Sequence, residues 1–175
     1  MNPFFYTCPF FVTAGLLLHI AGIATPSWIS TRSSETGQSL MFGLWEVCTD
    51  MGCQTYPSNK ASDLQACEAF SVLAIFPALG ALIICSVYAL QANAEESSRK
   101  KQINVAIALC LLSGVAVLIC IFVWRFSYVN SGPLADDLGY SFYLSLVGGL
   151  LMFASCGMFQ VYKRHTFPAQ YIVLS

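Results

Sequence analysis

Residues 103–124 read INVAIALCLLSGVAVLICIFVW. No charge interrupts these 22 residues. At 1.5 Å per residue a helix of that length is about 33 Å long, enough to cross a hydrocarbon core of about 30 Å. Three further charge-free runs cover 2–31, 69–94 and 138–162. Their apolar cores predict spans at about 6–26, 69–90 and 140–162 beside the one at 103–124. With no water in the bilayer core each backbone must satisfy its own hydrogen bonds, and none of the runs has the period-two polarity of a barrel strand. The fold class is therefore all-α membrane: four transmembrane helices in one bundle, a single domain over 1–175.

The rest of the composition agrees. Apolar residues make up 57% of the chain and charged residues only 10%, against about 25% charged in a soluble domain. Mean hydropathy is +0.66. Net charge is −1, with no basic excess to attract nucleic acid, so membrane lipid is the expected surrounding. The first run invites a second reading, a signal peptide cleaved near Ala24. It lacks a positive leading segment and is longer than a usual signal core, so it is read as a retained span.

Lysine and arginine set the orientation. Arg99, Lys100 and Lys101 lie between the second and third spans, and Lys163 and Arg164 follow the fourth. Arg32, Lys60 and Arg125 are spread over two longer connections. The positive-inside rule then puts both termini, 91–102 and 163–175 in the cytoplasm, and 27–68 and 125–139 outside the cell. Trp28 and Trp124 would sit as belt residues at the outer interface, and Tyr6, Tyr88 and Tyr162 at the inner one.

The long outer connection carries the specific signal. Leu40 to Cys48 holds Phe42, Trp45 and Val47 and predicts a strand. Thr49-Asp50-Met51-Gly52 reads as a turn, and a second strand runs from Cys53 through Tyr56. Cys48 and Cys53 are then directly opposed, at a separation a disulfide can bridge, in an oxidising compartment. A zinc site would need further Cys or His ligands nearby, which the connection lacks, and a redox motif would be Cys-x-x-Cys. No metal and no cofactor are implied.

Trp28, the triplet Gly43-Leu44-Trp45, Cys48 and Cys53 together reproduce a W…GLW…C…C pattern, by which the chain resembles the claudin superfamily. That superfamily includes peripheral myelin protein, the epithelial membrane proteins, the lens fibre membrane protein and calcium-channel gamma subunits. Asp63-Leu64-Gln65-Ala66 and Gly139-Tyr140-Ser141-Phe142-Tyr143-Leu144 add to the likeness, which covers most of 28–160. It implies a left-handed four-helix bundle with a small extracellular antiparallel sheet, most strands from the first outer connection and one from the second. It also implies that Leu44 and Trp45 anchor the sheet to the helix tops. The four residues between the cysteines are fewer than in typical claudins and look closer to the lens fibre protein. Cys67-Glu68 stands where claudins usually have an Arg after Leu-Gln-Ala-Ala. The tail ends in Ser175, without the apolar last residue a PDZ groove accepts, so a PDZ scaffold is not an expected partner.

Two function classes follow. The first is a plasma-membrane protein of cell–cell junctions or adhesion, whose outer sheet contacts its own kind laterally or on the facing cell. The second is an auxiliary subunit packed on an ion channel or receptor. The outer connections hold seven acidic residues against three basic ones. Asp50, Asp63 and Glu68 are the candidates to line a cation-selective passage, against the plainer reading of a solvated acidic surface. Phe126 and Tyr128 are candidate contact residues that could instead pack on the sheet. Tyr171-Ile172-Val173-Leu174 has the tyrosine-x-x-apolar form of an endocytic sorting signal, carried by Tyr171 and Leu174.

Within the membrane, His19 has no carboxylate to make a proton path and is expected to bond a neighbouring helix as a neutral ring. Pro77 predicts a kink in the second span. Ala74 with Ala78, and Ser145 with Gly149, form small-xxx-small faces for close packing. Cys8 and Cys156 read as buried thiols or acylation sites. Glu95 with Arg99, and Glu96 with Lys100, are spaced for ion pairs on a helix leaving the membrane. No arrangement for catalysis is found in the residues, so no enzyme activity is expected.

Overall fold

A computed structural model describes residues 4–32, 37–57, 59–91, 95–129 and 138–167, without the side chains of 4–6, 128 and 129. The order of elements is α1 (Phe4–Ala24), β1 (Ile29–Arg32), β2 (Ser39–Phe42), β3 (Glu46–Thr49), β4 (Gly52–Thr55), α2 (Ser62–Leu90), α3 (Glu96–Trp124), a π-helical turn (Arg125–Val129) and α4 (Tyr140–Thr166). All four helices are long and apolar enough to cross a membrane. Each of α2 and α3 has 29 residues, about 44 Å at 1.5 Å per residue, so both overhang a hydrocarbon core. The overhangs are charged. Asp63 and Glu68 lie on the first turns of α2, and Glu96 to Lys101 open α3, each beyond the apolar runs that begin at 69 and 103.

Helix α1 packs most extensively on α4, and α2 on α3. Small residues make this possible. A Cβ on Gly148 would lie 2.7 Å from the Gly15 carbonyl, and one on Gly149 would lie 2.9 Å from Val117 Cγ1. Ala74 and Ala78 are fully buried, and Ser113 Oγ donates to the Ala74 carbonyl at 2.8 Å. His19 is buried in α1, and its Nε2 donates to the Ser71 carbonyl of α2 at 3.0 Å. Pro77 lies inside α2, which continues to Leu90. The core has two parts: one runs through the middle and the far end of the bundle, the other joins the helix tops to the sheet.

The sheet is an antiparallel meander, β1-β2-β3-β4. All four strands come from the first connection. From the second, the described residues contribute a single antiparallel bridge, Leu138 to Ile29. The strand expected over Leu40–Cys48 is in fact two strands. The chain reverses at Gly43-Leu44-Trp45, where the Gly43 N–H donates to the Glu46 carbonyl at 2.9 Å. Leu44 leaves the pleat to become fully buried, and Gly43 sits so close to Pro26 that a Cβ would lie 2.7 Å from its Cα. Burial and that close approach override strand propensity.

The belt reading of the aromatics is also corrected. Trp28 and Trp124 are 0% and 1% exposed, with ring centroids 5.2 Å apart. Tyr88 and Tyr162 are buried against each other, with their hydroxyls 2.9 Å apart. These rings belong to the core rather than to the lipid boundary. The Tyr6 side chain lies outside the described residues.

Candidate functional site

The last four carbonyls of any helix lack an intrahelical partner, and near hydrocarbon an unsatisfied carbonyl is costly. Helix α1 solves this with side chains. Thr25 Oγ1 donates to the Ala21 carbonyl at 2.8 Å, Trp28 Nε1 to Gly22 at 2.9 Å, and Trp45 Nε1 to Ile23 at 2.8 Å. The start of α4 is met by the same segment: its Ser141 N–H donates to the Ser27 carbonyl at 3.0 Å, and Ser141 Oγ accepts from the Ser27 N–H at 3.1 Å. The Gly139 N–H donates to the Trp28 carbonyl at 2.9 Å, an approach so close that any Cβ on Gly139 would collide with Ser27. Residues 25–28 therefore tie the end of α1, the start of α4 and the sheet together.

Trp28 Nε1 and Trp45 Nε1 thus act as caps, while Leu44 fills the core between them and the helix tops. Trp45 remains 37% exposed. Lys60 Nζ lies 5.9 Å from its ring and 5.8 Å from that of Tyr56. The Tyr56 hydroxyl donates to the Gly43 carbonyl at 3.0 Å and so holds the reversal from the other side. A cavity of about 290 Å³ lies between sheet and bundle, lined by Ile29, Phe42, Tyr56, Lys60, Leu64 and Trp124 among others.

Strands β3 and β4 pair with Cys48 opposite Cys53, and the two sulfurs are bonded. Thr49 pairs with Gly52, leaving Asp50 and Met51 at the tip. Gly52 has φ +142°, a backbone conformation side chains rarely adopt, which is why this turn ends on glycine. A Glu46 carboxylate oxygen lies within 4.8 Å of both sulfurs, but sulfurs spent in a bridge are not thiolates and offer no metal site. Four further cysteines, Cys8, Cys85, Cys110 and Cys156, one from each helix, are buried in the bundle. Among the described residues no three of them come within ligand distance of one another.

The candidate acidic residues are held separately. Asp50 Oδ2 accepts from the Ser39 N–H at 3.0 Å, Asp63 accepts from Ser62, and Glu68 is ion-paired with Lys60. Phe126 is half-exposed and stacks on Phe122 with centroids 4.3 Å apart. The side chain of Tyr128, and all of Tyr171 and Leu174, lie outside the described residues. Sequence reasoning missed Met51, 85% exposed at the hairpin tip, and the capping by Thr25 and Ser141. The turn pattern around Gly52 pointed to the first. The others depend on tertiary contacts that no local pattern encodes.

A disulfide-stapled sheet seated on one end of four apolar, membrane-length helices, with two tryptophans capping α1, is the architecture of a multi-pass membrane protein. The chain belongs to the claudin-like family: the family described as tight junction protein, claudin-like, matches residues 1–169. No curated protein matches the chain closely enough to count as a relative.

Proposed function

We propose that this protein works at contacts between cells in the plasma membrane, its sheet outside the cell and both termini in the cytoplasm. Its function there is self-association through the sheet, laterally or across the contact, without enzymatic chemistry. The basic residues support the orientation, because five of the eight lie at the end of the bundle away from the sheet. The observation that carries the association is the edge strand β4. Among the described residues it pairs only with β3, and all four of its residues are exposed. Such an edge offers unpaired backbone groups to another chain, and Met51 beside it offers apolar surface. Asp50 and Asp63 are the carboxylates that would face a passage between copies. Glu68, paired with Lys60, contributes little net field. Phe126 is a further contact candidate, on the second connection.

The test uses cells expressing the protein with two different fluorophores, mixed with cells expressing none. Enrichment at contacts between two expressing cells, absent where only one partner expresses, is the expected result. Uniform surface distribution, with recovery in a stoichiometric detergent-stable complex with a pore-forming subunit, would replace this reading with the auxiliary-subunit one.

A further inference from the structure

At the end of the bundle away from the sheet, two cations are fixed in place without a carboxylate partner among the described residues. Arg99 donates from one terminal nitrogen to the Tyr88 hydroxyl at 2.8 Å, and its guanidinium lies 4.6 Å from the centroid of that ring. Its Nε is buried and has no acceptor among the described residues. The expected Arg99–Glu95 ion pair is absent there: only Lys60–Glu68 and Lys100–Glu96 are paired among the described residues. Lys163 donates to Asn104 Oδ1 at 2.7 Å, which pins the end of α4 to the start of α3. The Tyr88–Tyr162 hydroxyl contact joins α2 to α4 at this level, so Arg99 on α3 and Lys163, which follows Tyr162 on α4, lie at the same end of the bundle. Lys100 reinforces the junction, lying 5.3 Å from the Phe167 ring. Lys101 and Arg164 are exposed around it.

We infer that this junction binds the headgroup of an anionic phospholipid, and favours a phosphomonoester-bearing inositol lipid over a singly charged one. The charge balance supports it: in 91–104 and 163–175 five basic side chains face only Glu95 and Glu96. The depth supports it too. Arg99 and Lys163 lie just outside the apolar stretches that start at 103 and end at 162, where headgroups lie. Basic clusters at that level attract anionic lipid, and guanidinium donors held by an aromatic ring lose little freedom on binding phosphate. A lipid rather than a dissolved phosphate is the occupant because the leaflet supplies it at high local concentration. That leaflet is the inner one under the orientation proposed above, but the binding does not depend on the adhesion reading.

The experiment is equilibrium binding to the full-length protein in nanodiscs or detergent. The probes are a short-chain phosphatidylinositol bisphosphate, phosphatidylserine, phosphatidylcholine and soluble inositol trisphosphate. The expected result is preference for the inositol lipid, weakened by about thirtyfold in Arg99→Gln/Lys163→Gln, as the loss of two direct hydrogen bonds to phosphate would give. The Lys101→Gln/Arg164→Gln protein should stay within about threefold of the parent at physiological salt, since those exposed side chains act only through a screened field and not by contact. If Arg99→Gln fails to fold, Lys163→Gln alone should weaken binding about fivefold. Equal losses in both double variants would reduce the site to a diffuse field and overturn the inference. So would binding of phosphatidylcholine as tight as that of the inositol lipid, or saturation by the soluble headgroup as readily as by the lipid.

Discussion

The indole N–H of Trp45 reaches across from the turn between β2 and β3 to the Ile23 carbonyl in the last turn of α1, at 2.8 Å. This is a helix cap supplied from 22 residues away in sequence, and it gives the tryptophan a role that a phenyl ring cannot fill. Trp45→Phe should therefore destabilise the protein by about 1 kcal/mol, because the half-exposed site lets water reach part of the stranded carbonyl. Trp28→Phe should cost about 2–3 kcal/mol, since its site is dry and the Trp124 contact suffers as well. Unfolding by a denaturing detergent titrated into mild micelles measures both. Equal effects of the two substitutions would argue against the capping account.

Helix α4 contains a built-in comparison. Gly148 faces the α1 backbone at van der Waals limit, whereas a Cβ on Gly157 would meet nothing within 4 Å. Gly148→Ala should force α1 and α4 apart at a cost of about 1–3 kcal/mol. Gly157→Ala should be neutral or stabilise by up to about 1 kcal/mol, by helix propensity. The same unfolding titration reads the two, and opposite signs are the expected outcome.

Cys53 is exposed and Cys48 is not, while the other six cysteines are buried. Without reductant, a maleimide should label the folded protein little. After mild reduction it should label Cys53 first, as peptide mapping would show. Cys48→Ala/Cys53→Ala should cost about 2 kcal/mol, the modest figure expected for closing so small a ring. The sheet should persist, because β1, β2 and β3 pair independently of the bridge.

The spans and the hairpin were legible in the sequence for physical reasons. Lipid demands apolar length, and the turn Thr49–Gly52 leaves Cys48 and Cys53 only one way to face each other. The reversal at Gly43-Leu44-Trp45 was not legible. Phe42 to Val47 reads as continuous strand, and what breaks it is the burial of Leu44 together with the contact of Gly43 on Pro26. Hydropathy likewise placed helix starts at the first apolar residue, although Ser62 to Glu68 and Glu96 to Lys101 continue the helices through charged turns. Trp28 and Trp124 fit a belt by position along their spans. Only the packing of α1, α3 and α4 on the sheet shows that the two rings meet each other, and that Trp28 also meets Phe142.

Met51 separates folding from association. At 85% exposure on a two-residue tip, it contributes little to the fold, so Met51→Glu should change stability by no more than about 0.5 kcal/mol. An added carboxylate next to Asp50 and at the end of the β4 edge should nevertheless oppose docking of a second copy, since charge at a sheet edge is a recognised barrier to strand pairing. Chemical cross-linking of the protein in membranes should then show fewer dimers and higher oligomers than the parent at equal expression, with the surface level unchanged. Cross-linking that survives Met51→Glu undiminished would move the contact away from the β3–β4 hairpin, to Phe126 and the second connection. A simultaneous loss of stability would instead mean that the tip is seated on the fold in a way its exposure does not allow.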